Sequence, residues 1–273
     1  MFKAIRVINE NPDWTVAQSD KTNRWIPIEV SYYRKKMMEM LNKNCVKIDA
    51  KYLERVEAAA LILFQDYKPF MDKGEQGYVE SWIKSRDVPT PRLLVKDHKD
   101  QGKDGFWPVR LVIPATNYTQ CFAKMGYKII KKPFDKRGVK YMKYTIRQEK
   151  CLKLDLEKIE REEAIVMDKD LVAKLDIEAM YPSITYELVA KAVHYYTKGF
   201  SQEEEMRVEA GLDMLRFSMA NCLINFGSDY FQYGKEENPL KRVLTIGGFD
   251  STWLADLTAC PIIGQKYNCK TVA

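Results

Sequence analysis

The sequence predicts an α+β fold, and three patterns carry that prediction. Apolar residues recur at helical spacing over residues 50–67 and again after Ser201, two short β-rich runs occupy 92–96 and 109–113, and a β-branched run over 172–175 ends at Asp176. With 273 residues, 46% of them hydrophobic, the chain buries a substantial core as one large domain or two small ones. The expected organisation is a mainly helical region over 1–88, a β-hairpin followed by a basic segment over 89–150, and a mixed region over 151–273.

In the first region Leu53, Val56, Ala60, Leu63 and Tyr67 fall at three- and four-residue steps. Asp49 stands where an N-cap belongs and Pro69 lies just past the expected end. The runs PRLLVKDHK and FWPVRLVIPATN, joined by DQGKDG, read as a hairpin carrying Lys96 and Arg110, with His98 and Lys99 just beyond the first strand. Residues 186–196 have helical spacing. Ser201 and Glu204 then form an S-x-x-E capping box ahead of the stripe Val208, Leu212, Leu215, Met219 and Cys222, with Gly227 as the expected stop. The stretch DYFQYGKEENPLKRVLTI reads as a second hairpin turning over 234–239, and it leads into GGFDSTWLADLTA.

Composition narrows the function classes. No apolar run approaches the roughly 20 residues that cross a bilayer, and the first residues lack the apolar core of a signal peptide. Six cysteines, at 45, 121, 151, 222, 260 and 269, form no C-x-x-C pair, and only His98 and His194 accompany them. Zinc or a disulfide framework is therefore not expected; the cysteines read as small buried hydrophobes in a reducing compartment, cytoplasmic or nuclear. The formal charge of +6 is unevenly distributed. Residues 124–150 hold ten Lys or Arg (among them Lys124, Lys128, Lys131, Lys132, Lys136, Arg137, Lys140 and Lys143) against Asp135 and Glu149, a local charge of +8. Tyr127, Phe134, Tyr141 and Tyr144 interrupt them, so the segment reads either as a surface for phosphates and stacked bases or as a solvated basic face.

Asp176 alone fits a solvated strand end or a helix cap. In the segment LDIEAMYPSI, with the hairpin before it and the Gly-Gly turn after it, the chain resembles reverse transcriptases of the retroelement type, over residues 90–259. PRLLVKDHK and WPVRLVIPATN resemble the fingers segments, LDIEAMYPSI the first catalytic motif of the palm, and GGFDSTWLADL the G-x-x-x-S-x-x-L-A motif, in which this chain has Ile246 and Thr252 where the family often has Gln and Pro. The fold implied is the fingers and part of the palm of a right-hand polymerase, with a helical N-terminal region.

The resemblance implies roles with physical content. Phosphoryl transfer to a 3′ end builds negative charge that two divalent ions clamp, and Mg2+ (or Mn2+) favours carboxylate and phosphate oxygens. Asp176 would be the catalytic metal ligand and Ile177 would add its backbone carbonyl. Arg110, Lys96 and Lys99 would neutralise the incoming deoxynucleoside triphosphate. Tyr181 would lie beneath the sugar and exclude a 2′-hydroxyl, the alternative being a core aromatic beside Pro182. Gly247, Gly248 and Ser251 would border template base and nucleotide, the glycines permitting a tight turn and Ser251 capping the next helix.

Reverse transcriptases also use an aromatic-x-Asp-Asp turn, and no Asp-Asp dipeptide occurs in this sequence. Asp168 and Asp170 approach the same strand as Asp176 and so do not replace it. The expectation is a fragment whose second metal-binding hairpin belongs to a missing C-terminal half, inactive alone, with the metal held only in a complete site. The expected partners are an RNA or DNA template-primer and deoxynucleotides, and no membrane. Two alternatives stand beside it: a non-catalytic nucleic-acid-binding module derived from a polymerase, and a DNA polymerase of the other large class, which would use a Lys-rich helix in place of the glycine turn.

Overall fold

The computed structural model describes residues 11–22, 24–139, 180–248 and 251–267, with side chains through 259. The α+β expectation holds. In chain order the elements are β1 (Trp14–Ser19), β2 (Trp25–Glu29), α1 (Val30–Asn44), β3 (Cys45–Ile48), α2 (Ala50–Tyr67), α3 (Lys73–Ser85), β4 (Arg92–Val95) and β5 (Val109–Val112). There follow α4 (Gln120–Lys136), α5 (Met180–Ser183), α6 (Tyr186–Tyr196), α7 (Gln202–Ala220), β6 (Leu223–Phe226), β7 (Asp229–Tyr233) and α8 (Ser251–Tyr267).

Among the described residues two sheets form, in the orders β2-β1-β4-β5 and β3-β7-β6. The hairpin predicted around Arg110 is present: β4 and β5 pair antiparallel, with Leu94 opposite Arg110. The irregular start of the chain, however, holds strands. β1 and β2 form an antiparallel pair, and β1 runs parallel to β4. Their mixed polarity and brevity hide them from a periodicity test, and Pro27 is tolerated because β2 is an edge strand. β3 pairs with β7, so the region over 1–88 is mixed and supplies a strand or strands to both sheets.

Helix ends follow the sequence closely. Asp49 accepts the Tyr52 N–H at the start of α2, and Ser201 and Glu204 close the capping box of α7. A second such box, Asp72 with Glu75, opens α3. The hairpin expected over 234–239 is instead β6–β7, whose two-residue loop is Gly227-Ser228. Gly227 has φ +66°, the conformation that tight hairpin loops demand, so it turns a hairpin and does not stop a helix. α7 has already ended at Ala220, with the Asn221 amide nitrogen bonding to the Phe217 carbonyl.

The centre of the molecule is the antiparallel crossing of α4 and α7. The Gln120 amide donates to Ser218 Oγ at one end, and the Arg137 guanidinium meets Glu204 at the other. Midway, Gly126 and Gly211 bring the backbones together: a Cβ on Gly126 would lie 2.6 Å from the Gly211 carbonyl oxygen. One apolar cluster, including Ile130, Phe134, Val193, Leu212 and Leu254, fills the α6/α8 side of this pair, and another, including Phe64, Val79, Phe122 and Met214, fills the α2/α3 side. A third joins the sheets through Leu93, Leu111, Ile224 and Phe231 beneath Met37 and Leu41 of α1.

Glu204 is buried and its carboxyl is held down, to about 2, by the Arg137 guanidinium and then by the Ser201 N–H. Its folded value lies below the ordinary 4.5, so the stabilisation is complete at neutral pH and is lost as pH falls from about 4.5 to about 2. Glu204→Gln is expected to flatten the stability-versus-pH curve across that window in urea melts. An acid limb identical to that of the parent chain would contradict the assignment.

Candidate nucleotide site

Asp176 and Ile177, with the run over 172–175, lie outside the described residues, as do Lys140 and Lys143. The hairpin with Arg110 and the Gly247 turn are among the described residues. In a pleated strand alternate residues share a face, so Arg110 and Val112 of β5 share a face with Leu94 and Lys96, opposite the buried Leu93 and Leu111. β1 continues the register, with Gln18 beside Leu94 and Asp20 beyond it. Arg110 Nη1 donates to Asp20 Oδ1 at 3.0 Å. The Asp20 side chain is only 6% exposed, against 39% for Arg110, and its Oδ2 has no hydrogen-bond partner. A guanidinium carries five N–H donors in a rigid fork. Asp20 therefore fixes one side of the group while the exposed side faces outward with donors to offer an anion.

Lys96 and Lys99 occupy the ends of a tight turn, the Lys99 N–H donating to the Lys96 carbonyl at 2.9 Å. Lys96 is half-buried, just past the end of β4, and Lys99 is exposed. Inside the turn, Asp97 accepts the hydroxyls of Ser19 (2.6 Å) and Thr22 (2.7 Å), and these bonds hold its carboxyl below the usual range. The same contacts tie the β1–β2 connection to the lysine turn. Thus three cations from one hairpin, Lys96, Lys99 and Arg110, border one end of the sheet.

The Gly-Gly turn docks onto this hairpin. The Ile113 N–H donates to the Ile246 carbonyl at 2.9 Å. Gly247 has φ +99°, and a Cβ there would meet the Ile113 carbonyl oxygen at 2.6 Å and Val112 Cγ1 at 2.9 Å. Val112 shares its face with Arg110, so the turn meets that face two residues along β5 from the guanidinium. Gly248 is half-buried. Ser251 begins α8 as predicted, but its hydroxyl donates to the Thr245 carbonyl at 2.7 Å and is buried. Its hydroxyl closes the turn and does not reach outward for a ligand.

Tyr181 belongs to a separate apolar cluster. It lies in α5, half-buried against the cluster that holds Ile184, Leu244 and Leu254. Ile184 and Tyr186 bond across to Leu244 and Arg242 through the backbone, at 3.1 and 2.9 Å. The segment after Tyr181 is thereby stitched to the strand-like residues that lead into Gly247. Buried Arg242 steadies that approach by donating to the carbonyls of Gly234 and Tyr233.

Nothing among known family models, curated proteins or solved structures matches this chain. Among the described residues no three or more His, Cys, Asp and Glu side chains gather as a metal cluster; the expected ligands Asp176 and Ile177 lie outside those residues. Buried thiols do not compete for a catalytic role: desolvation raises Cys45 and Cys121 to about 12. Among the described residues no helix is long and apolar enough to cross a membrane.

The basic segment is different from a loop or hairpin face. Its described part is α4, an amphipathic helix whose Phe122, Ile129, Ile130 and Phe134 are buried. Phe134 is thus core and offers no stacking surface, and half-buried Tyr127 sets its ring edge-on to Trp253 of α8, centroids 4.8 Å apart. Six cations remain along the other side. Lys128 and Lys132 meet Glu75 at 3.7 and 3.3 Å, Lys136 and Arg137 meet Glu204 at 3.3 and 2.6 Å, Lys131 pairs with Asp135, and Lys124 stands over the Tyr78 ring at 4.3 Å.

Three residues escape a reading of the sequence alone: Asp20, Glu75 and Glu204. The capping boxes mark the two glutamates as helix caps, but nothing local shows that each also gathers cations from α4. Asp20 has no signal at all, since its partner is 90 residues away.

Proposed function

We propose that this chain is a reverse transcriptase-like nucleotide-binding unit, related to enzymes that add deoxynucleotides to a primer by two-metal phosphoryl transfer. The observation that carries the proposal is the docking of the Gly247 turn onto the β5 face that bears Arg110. The family's fingers and serine motifs lie more than a hundred residues apart in this sequence, and a nucleotide site requires them to meet. Arg110, with Lys96 and Lys99, faces the triphosphate. The Gly247–Gly248 backbone borders the base, Ser251 holds that turn in shape, and Tyr181 lies toward the sugar. Asp176 and the Ile177 carbonyl would hold Mg2+, which supplies charge neutralisation of the phosphates when bound.

No Asp-Asp dipeptide occurs in the sequence, so the proposal is nucleotide binding without efficient primer extension by these 273 residues. A primer-extension assay with Mg2+, an RNA template and deoxynucleotides tests it, with no product above background expected. Robust extension that Asp176→Asn abolishes would overturn the inactivity while keeping the polymerase assignment.

A second reading, a nucleic-acid-binding module without catalysis, is favoured by one observation: six cations line α4 and its C-terminus, opposed by three carboxylates. It predicts oligonucleotide binding that weakens as salt rises, with no contribution from triphosphate or Mg2+.

A further inference from the structure

We infer that the α4 surface binds a nucleic-acid backbone and that Glu75 and Glu204, buried beneath it, act as built-in counter-charges that set how tightly it does so. The inference rests on the nucleic-acid partner of the proposed function and adds the regulation of that surface.

Lys124, Lys128, Lys132 and Lys136 recur every fourth residue of α4. At 1.5 Å per residue that spaces them by about 6 Å in a row about 18 Å long. The row winds obliquely across the helix, and a run of closely spaced ammonium groups suits a flexible polyanion. The carboxylates behind the row are hidden: Glu75 and Glu204 side chains are each 7% exposed, whereas Lys132 is 50% and Lys136 76% exposed. An arriving strand therefore meets cations first. Each glutamate is shared between two of them, Lys128 with Lys132 and Lys136 with Arg137.

Both glutamates are the N3 residues of capping boxes, one opening α3 and one opening α7. The Asp72 N–H donates to Glu75 at 3.1 Å and the Ser201 N–H to Glu204 at 2.9 Å. The carboxylates are thus anchored to helix starts and cannot swing away when a phosphate approaches. A phosphate must compete with a fixed anion for the same ammonium groups, which lowers affinity and leaves the surface selective for multivalent chains over single anions.

Gln serves at N3 of a capping box as Glu does, so Glu75→Gln removes the charge and keeps the cap. The test is fluorescence anisotropy of a labelled single-stranded oligo-dT 20-mer titrated with the full chain across a KCl series. Glu75→Gln is expected to tighten binding about fivefold at 0.1 M salt and to steepen the log K against log salt slope by about 0.7 per phosphate gained. Lys132→Ala is expected to weaken it and flatten that slope. Circular dichroism melts confirm that each variant is folded, and Glu204→Gln gives an independent second reading at the other end of the helix. If Lys128→Ala and Lys132→Ala leave oligonucleotide binding unchanged, α4 is not the nucleic-acid surface and this inference fails, while the nucleotide reading at Arg110 stands; loss of all oligonucleotide binding by the parent chain would instead remove the nucleic-acid partner on which the inference rests. If those variants weaken binding but neither Glu→Gln variant tightens it, the surface stands and the counter-charge role is overturned. Displacement by poly-glutamate as readily as by unlabelled oligo-dT would overturn the assignment to a phosphodiester backbone.

Discussion

Gly126→Ala is expected to lower the urea midpoint of the protein, although alanine is the better helix former. In a helix interior the exchange gains about 0.5–1 kcal/mol. Here the new methyl would lie 2.6 Å from the Gly211 carbonyl oxygen, 3.1 Å from Leu215 Cγ and 3.3 Å from Met214 Cβ. The first of these is backbone, so relief requires α7 to move away from α4 and opens the clusters on both sides of the pair. Overpacking of that kind costs about 1–3 kcal/mol, here at the upper end, leaving a net loss of about 1–2 kcal/mol. Gly77→Ala supplies the contrast. Gly77 is also helical, in α3, but a Cβ there meets nothing within 4 Å, so the same exchange should raise stability by about 0.5–1 kcal/mol. Opposite signs at the two sites are the expected result; a stabilised Gly126→Ala variant would show that the crossing is looser than described.

The second large effect is expected at Gly247. Its φ of +99° costs an L-residue about 1–2 kcal/mol, and the added methyl would sit 2.6 Å from the Ile113 carbonyl oxygen. Together these place the loss for Gly247→Ala at about 2–4 kcal/mol. Because the turn is joined to β5 through the Ile113–Ile246 hydrogen bond, strain there also displaces the wall beside Arg110. Nucleotide affinity should fall in this variant even at temperatures where it remains folded. Gly227→Asn is the control: Gly227 also has positive φ, +66°, but open space around it and no link to the site, and Asn tolerates that region. Equal nucleotide affinity in parent and Gly247→Ala proteins, measured on folded samples, would separate the turn from the site.

Local chemistry in the sequence foretold much of this fold. The Asp49 cap and the Ser201–Glu204 box are local devices that name their own helix starts, and the Arg110 hairpin is bounded by visible turn residues. What escaped was set by tertiary contacts. β1 and β2 are short and of mixed polarity, and they become strands by pairing with one another and, through β1, with β4. The β6–β7 hairpin was displaced by a few residues because Gly227 and Gly234 both carry positive φ and only the partner strand decides which one turns the chain. In α4 the charge density of residues 124–137 masked an apolar stripe at three- and four-residue steps, Phe122, Met125, Ile129 and Pro133. The site shows the same division. Arg110 and the Gly247 turn were separately legible, but their docking was not, and neither was Asp20, which fixes the guanidinium from the end of β1. Ser251 was found where expected, with its hydroxyl committed to Thr245.

We propose that Arg110 and the Gly247 turn form one wall of a nucleotide site that Asp176 completes. Calorimetric titration of deoxythymidine triphosphate in Mg2+ measures it most directly, comparing the parent chain with Asp176→Asn and with the paired exchange Asp20→Asn/Arg110→Gln. The pairing avoids stranding a buried carboxylate when its cation is removed. Mg2+-dependent binding by the parent is expected, with loss of that dependence in Asp176→Asn and at least about tenfold weaker binding in the paired variant, as suits the loss of a charge-assisted phosphate contact. Binding of equal strength in all three folded proteins, with or without Mg2+, would contradict it.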